Sequence, residues 1–475
     1  MEPDVSIQRG RPWGLGRRPL AAIVFVLAMV CAACTSSGEE AGTTDAATTT
    51  AAAPISAEPT STTASSTTTT TAALTASFRG VTEDTIELGV AIVDFQELND
   101  LGFIDFTHGD KEAIWEALFA DLNERGGING RKVEAVYEVY LPVGNEPAEA
   151  ACIRFTEDEA VFAVLGLWVG ETVLCLTDQH ETIYVGHQPS QANMDRSRAV
   201  LASPGINPER RLDALLSVLD QTGELTDSTV GILAQLTNED AVRRDVVPRL
   251  EEVAAGVGSV GVISAEDQVG TAAEIATFVE RWTTEGVDTV FFLGATAQNE
   301  IPAVVDALGP DIGKVSDIPE VARQLADSSG RADAYDGLLT MNGLNTTDSE
   351  QFDEPMMQAC ISLVVDALPG LDEVVPSADV VDGEPDWYTG IRDACTNLTV
   401  FEAATAAAGP VLTNESFRIG LEGLGSIPIA GQVFSSFSPG KWDGEDGFRL
   451  YVYDAEAGDG GAFVARSEIV DVTAG

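Results

Sequence analysis

Residue types that carry chemistry are sparse and scattered in this chain. Of its three histidines, His108, His180 and His187, no two stand at helical ligand spacing, and neither G-x-S-x-G nor H-E-x-x-H occurs. The run GPDIGKV at 309–315 has three residues instead of four between its glycines and Val after the Lys, so it is no phosphate loop. DGEDGF and DAEAGDGG lack the spaced oxygen ligands and closing Glu of a calcium loop. An enzyme is therefore not expected, nor a metal or cofactor. What remains is a set of loops that each follow an apolar run. In LWVGETV, Trp168 can form an apolar wall, while Gly170 and Thr172 open an expected helix whose free N–H groups can hold a carboxylate. GHQPSQ carries Gln188 and Ser190, and ATAQNE carries Glu300. A carboxylate at Glu300 suits a cationic or zwitterionic ligand. Each residue also has a structural reading: Thr172 and Ser190 as caps, Trp168 as packing, Glu300 as an acid favoured by a helix dipole.

The elements that must position these loops alternate. Strand patterns fall at TIELGVAIV (85–93), VEAVYEVY (133–140), VFAVLGLW (161–168), TIYVGHQ (182–188), STVGILAQL (228–236), SVGVISA (259–265) and DTVFFLGAT (288–296). Helical periods separate them, near 110–124, 146–157, 171–179, 208–221, 240–255, 271–285 and 299–308. Repeated strand–helix–strand order implies parallel sheets covered by helices on both faces, and seven units imply two lobes. A further strand is expected at YDGLLTMNG (335–343), long helices within 350–367 and 397–424, and a strand-rich tail. Within NERGGINGRKVE (123–134), Gly126 and Gly127 can end a helix and Asn129-Gly130 suits a tight turn, so the segment reads as a helix-to-strand reversal.

Composition places the chain outside the cytoplasm. The 475 residues hold 26 Lys plus Arg against 76 Asp plus Glu, a net charge of −50. Such a field repels nucleic acid and anionic lipid; it reflects either salty surroundings or genome composition. Arg9, Arg11, Arg17 and Arg18 precede the apolar run LAAIVFVLAMV (20–30), which is short for a membrane span and right for a signal core. CAAC follows, which resembles a bacterial lipoprotein signal with Cys34 as the lipidated residue, although Cys31 stands where an aliphatic residue is usual. Residues 35–78, rich in Thr, Ser and Ala, cannot bury enough surface to fold and read as a tether of roughly 35 to 40 Å. The four remaining cysteines suit an oxidising compartment, and sequence proximity pairs Cys152 with Cys175 and Cys360 with Cys395.

RGVTEDTIELGVAI, LFADLNERGGINGRKVE and FEAATAAAGPVLTNESFRIGLEGLG, in that order along residues 79–450, resemble the leucine/isoleucine/valine-binding family of type I periplasmic substrate-binding proteins. The resemblance implies an α/β fold of two Rossmann-like lobes that hinge shut on a small ligand. By that analogy crossovers lie near 200–206, 340–345 and 426–436. Lobe 1 takes 79–203 and 343–428, lobe 2 takes 204–342, and 429–475 supplies the hinge return and C-terminal strands. Gln188 and Ser190 occupy positions similar to family residues that touch the ligand's carboxylate and ammonium. Glu300 lies close to a family carboxylate that pairs with the ammonium, within an offset of one residue. Where many relatives have a Tyr-Gly pair, this chain has Asn238, Glu239 and Asp240; of these Asp240 is the candidate contact. The implied role is a monomeric lipoprotein on the outer face of the bacterial cytoplasmic membrane. It captures an amino acid or related compound for an ABC permease. The alternatives are a ligand sensor, or a surface interaction lipoprotein that has lost binding.

Overall fold

In a computed structural model of the chain, residues 74–473 are described except 105, 188, 236–239, 241, 265–267, 319–324, 327–328, 344–348, 382 and 458–460. The expected lipidation site Cys34, most of the tether and Gln188 lie outside the described residues.

The first sheet contains β1 (Thr85–Val93), β2 (Lys132–Tyr140), β3 (Ala163–Gly166), β4 (Ile183–Gly186) and β5 (Leu201–Ala202), all parallel in the order β2-β1-β3-β4-β5. Buried positions run almost unbroken along β1, as expected for a strand covered on both faces. One face packs against helices Lys111–Glu124, Pro355–Ala367, Trp387–Ala408 and Asn414–Glu422 through Ile114, Leu118, Leu122, Ile361, Phe401 and Phe417. The other packs Phe155, Leu176 and Trp168. Cys152–Cys175 (Cα–Cα 6.2 Å) and Cys360–Cys395 (6.6 Å) form the two expected disulfides.

At the glycine-rich reversal, Gly127 has φ 69°, and a Cβ there would sit 1.9 Å from the Arg131 carbonyl oxygen, so only glycine fits. The reversal also buries Arg131, whose guanidinium donates to the carbonyls of Thr82 (2.7 Å), Thr75 (3.0 Å) and Pro410 (2.9 Å). One side chain thereby ties the start of the folded chain to a segment more than three hundred residues away.

The second sheet uses β6 (Thr229–Gln235), β7 (Gly256–Ile263), β8 (Thr289–Leu293), β9 (Gly313–Ser316) and β10 (Leu338–Asn342), which are parallel. After a small hairpin of β11 (Gly425–Ser426) and β12 (Ser436–Phe437), the chain adds β13 (Gly447–Asp454) antiparallel to β10, with β14 (Ala462–Ala465) and β15 (Val470–Asp471) each antiparallel to β13. The order is β14-β13-β10-β9-β8-β6-β7, with β15 beside β13. Helices Pro208–Thr222 and Val247–Val253 cover one face, and Gln268–Glu285 and Ile301–Leu308 the other.

The segments at 203–207, from Gly343 to the helix at Ser349–Phe352, and at 438–446 cross between the lobes. The third lies later than the expected 426–436, because Ile429, Ala430 and Phe437 pack into the core of lobe 1 and hold the hairpin there. The helix expected within 397–424 is two: Asp386 caps an earlier start by accepting from the Thr389 amide, and Gly409-Pro410 ends the first helix. The helix expected to open at Gly170 does not form there. Residues 170–172 make a turn, followed by a five-residue wide-turned helix, Cys175–Gln179.

Candidate functional site

The sequence-derived candidates are largely occupied by structural work. Trp168 is buried against Tyr140, with ring centroids 5.4 Å apart, and its indole N–H donates to Thr172 Oγ1 at 3.0 Å. Thr172 in turn donates to the Val169 carbonyl at 3.3 Å. Gly170 is an exposed turn residue with φ 80°. Ser190 is buried and caps the helix Gln191–Arg196, accepting from the Asn193 amide at 3.2 Å. Asp240 is exposed, its charge acting on Arg244. Glu300 precedes the helix Ile301–Leu308 without a side-chain capping bond, and partial burial raises its pKa. Among the described candidates, Trp168 and Thr172 are brought into side-chain contact. The Cys152, Cys175 and His180 donor atoms also converge within 4.8 Å, but the disulfide consumes both thiols.

A different set of side chains converges where the lobes face each other. In parallel sheets the loops beyond the carboxyl ends of the strands meet the N-termini of the following helices. Helix Lys111–Glu124 follows β1, and helix Trp387–Ala408 lies beside it in the same sense, with His108 and Asp386 bridged in parallel just before their starts. Both helices therefore begin at the cleft. They carry Lys111, and Arg392 with Asp393, whose guanidinium and carboxylate meet at 2.9 Å. Burial opposes the charge of Arg392, and Asp393 more than offsets this. Asp393 is held below the usual carboxylate range, because Arg392 and Lys111 outweigh its burial.

From lobe 2, Arg211 lies in the first turn of helix Pro208–Thr222, Asp317 follows β9, and Glu445 lies in the third crossover. Arg211 acts electrostatically on Asp317, on Glu445 and on His187 of lobe 1; Arg392 acts on Glu445 and His187. The two arginines thus flank one region from opposite lobes. Asp317 accepts from the Gly294 amide (3.0 Å) and Gln298 amide (3.3 Å), and burial raises its pKa. The Glu445 carboxyl packs on Gly343, where a Cβ would sit 2.2 Å from its oxygen, and burial pushes it up to about 7. His187 is open to the cleft but ringed by protein, which lowers its pKa. Beside Lys111, the rings of Phe95, Phe106 and His108 pack tilted or edge-to-face with centroids 4.4 to 5.8 Å apart, and the ammonium lies 4.6 Å from the Phe95 ring centre. Burial lowers His108 to about 4 and also lowers Lys111.

Sequence reasoning missed this cluster. Its members come from helices and a crossover spread over most of the chain, and single charged residues in so acidic a sequence carry no local signature. The one available hint was scarcity: Lys111 is one of only four lysines.

Behind the cleft, the first and third crossovers are joined by a dense buried network. Arg210 bonds Asp443 at 2.7 Å and Asp446 at 2.8 Å, and Lys441 lies 3.2 Å from Asp446. Asp443 also accepts from the Asn207 amide at 2.9 Å, and Asp446 from Ser436 Oγ at 2.6 Å. Asn207 and Glu209 of lobe 2 reach Gln191 of lobe 1 at 3.1 and 3.0 Å.

This architecture is similar to that of known binding proteins. An ABC transporter substrate-binding protein from Sphaerobacter thermophilus matches 82% of this chain and 98% of its own, at 15% identity and TM-score 0.54. One from Desulfitobacterium hafniense in complex with Leu matches 81% and 100%, at 15% identity and TM-score 0.53. A Rhodopseudomonas palustris ABC transporter solute-binding protein in complex with 4-hydroxybenzoate matches 82% and 98%, at 16% identity and TM-score 0.52. No protein-family model matches the sequence, and no curated protein does. The chain has the α/β fold of type I periplasmic substrate-binding proteins, as the sequence resemblance implied.

Proposed function

We propose that the protein captures a small polar solute between its two lobes and delivers it to an ABC permease. The reading is carried by one observation: charged side chains from both lobes act on one another beyond the carboxyl ends of the parallel strands of two sheets, and the described chain passes between those lobes through crossover segments. A solute that touches both sides binds the closed form better than the open form, and shifts the equilibrium by that difference in affinity. The permease then reads the closed form. Amino acids and related compounds are the first candidates in this reading, which the similar structures in complex with Leu and with 4-hydroxybenzoate support. In this reading Cys34 anchors the chain by lipid to the outer face of the membrane, and the expected tether from residue 35 ends before Thr75, because Thr75, Ser77 and Phe78 pack on the folded part; the protein works as a monomer without catalysis. Glu300 and Ser190 remain proposed second-rank contacts, because neither side chain joins the cross-lobe cluster.

Thermal melting of the purified chain against amino acids, amides, polyamines and small organic acids tests the proposal. A ligand at 100 times its dissociation constant adds about 2.7 kcal/mol to the stability of a folded state that alone binds it. Upward shifts confined to one chemical class support capture. A cooperatively folded sample that responds to none overturns it.

A further inference from the structure

We infer that Cys152, Cys175 and His180 form a redox-gated zinc site, closed while the two cysteines are joined and opened when a thiol reductant parts them. The inference stands apart from the solute-capture reading.

Two wide helical turns bring the three donors together. Helix Glu146–Ile153 carries Cys152 and runs on into the wide turn Arg154–Asp158, and Cys175 opens a second such turn, Cys175–Gln179. In a turn of this kind the amide of the fifth residue on bonds the carbonyl of the first, and the His180 amide bonds Cys175 in this way at 3.1 Å. His180 is thereby returned to the side of Cys175. The ligand atoms of Cys152, Cys175 and His180 all lie within 4.8 Å of one another. Donors on one tetrahedral zinc, at about 2.0 to 2.3 Å from the metal, stand under about 4 Å apart, so shifts of about 1 Å complete the site.

The backbone holds these positions without help from the S–S bond. Ala148, Ala151, Phe155, Leu174 and Leu176 pack in one core around the cysteines. The His180 carbonyl accepts from Arg79 Nη2 at 3.1 Å, and the Thr182 amide donates to the Leu176 carbonyl at 2.8 Å. Cys152 is fully buried, whereas the His180 side chain is 23% exposed, so a metal enters past the imidazole. The Glu157 carboxylate, 3.8 Å from His180 Nε2 and open to solvent, adds negative charge at that entrance. Two thiolates and an imidazole are a donor set that suits zinc, with water in the fourth position. The disulfide Cys360–Cys395 has no such third donor among the described residues. Cys152 precedes β3 and His180 precedes β4, so the site lies at the amino ends of these strands and the cleft beyond their carboxyl ends.

A dithiol supplies the two electrons and two protons of the opening step. The Cys152–Cys175 S–S bond breaks, each sulfur takes one proton, and the dithiol leaves as its own disulfide. Zn2+ then displaces both thiol protons to solvent and forms two Zn–S bonds and one Zn–N bond. Metal and disulfide exclude each other, because both need the same two sulfurs.

The test uses the full chain, reduced with dithiothreitol, freed of it under anaerobic conditions and titrated with Co2+ and then Zn2+, beside the oxidised chain. The expected result is a sulfur-to-cobalt charge-transfer band in the reduced chain that saturates at one equivalent and is abolished by Zn2+, with no band in the oxidised chain. His180→Ala leaves both cysteine pairs in place. It should weaken the metal by at least about 100-fold, since even residues that only support a ligand are worth about 10- to 100-fold. No band in the reduced chain, or unaltered affinity in His180→Ala, overturns the site. A reduced chain that loses its circular dichroism and does not regain it with Zn2+ overturns it as well.

Discussion

The hinge and the cleft are built from the same residue types and put them to opposite uses. In the hinge, Arg210 and Lys441 meet Asp443 and Asp446, both acids are at most 1% exposed, and the Asn207 amide and the Ser436 hydroxyl donate to them. In the cleft, Arg392 meets Asp393 at a similar 2.9 Å, but the two are 22% and 42% exposed, and Arg211 and Lys111 act on the neighbouring groups through their fields. A buried charge is tolerated only when it is paired and hydrogen-bonded. The buried network joins two crossovers, whereas the cleft pair is partly open to solvent.

Four expectations break or sharpen that contrast. The largest effect is at Asp443→Ala, which leaves Arg210 with Asp446 alone of its two carboxylates and frees the buried Asn207 amide. A loss of about 3 to 5 kcal/mol on chemical denaturation is expected, and a loss under 1 kcal/mol would show that the network is not what holds the hinge. At the cleft, His108 is neutral down to about 4 because burial disfavours its charge. An unfolded histidine titrates near 6.5, so the unfolded chain binds the extra proton first. Stability is then full above about pH 6.5 and is lost as pH falls towards 4. His108→Phe keeps a ring against Phe95 and Phe106 and should remove about 2 kcal/mol of that acid-side loss, read from melting curves between pH 4 and 7.

Glu445 has the opposite sign. Burial lifts it to about 7, against the fields of Arg211, Arg392 and Arg210 and with that of Asp446. Between an unfolded value near 4.3 and about 7 the native state holds the extra proton, so the ionised carboxyl lowers stability as pH rises through that window. Glu445→Gln should therefore gain about 1 to 2 kcal/mol at pH 8, after discounting for its partial exposure, and nothing at pH 4. An equal gain at both pH values would contradict the assignment. The smallest effect belongs to the surface pair of Arg125 with Glu402, at 3.1 Å and with Arg125 52% exposed. Arg125→Ala should cost no more than about 0.5 kcal/mol, which sets the scale for calling the hinge network buried.

Local physics made much of the fold readable before any coordinates. The apolar runs at 85–93 and 288–296 became β1 and β8 because buried parallel strands need continuous hydrophobic sequence. The reversal at 126–130 forms because Gly127 and Asn129 occupy positive φ. Both disulfides follow sequence proximity. The site was far less legible. Trp168, Thr172 and Ser190 sit in the right loops, but their side chains serve the core and a cap, a choice made by the packing of Tyr140 and the Asn193 amide. Hydroxyls and rings suit either task, and the sequence holds nothing that decides between them.

By itself, the sequence determined the alternation of strands and helices, the turn chemistry and the cysteine pairs, since these depend on neighbours within a few turns or a short loop. Only the tertiary structure decided which five charged residues, at 111, 211, 392, 393 and 445, share one cleft and which four, at 210, 441, 443 and 446, lock the hinge. Arg210 and Arg211 are adjacent in the chain yet divide between those two roles. On a helix, consecutive side chains point about 100° apart, so Arg210 turns into the crossover and Arg211 away from it.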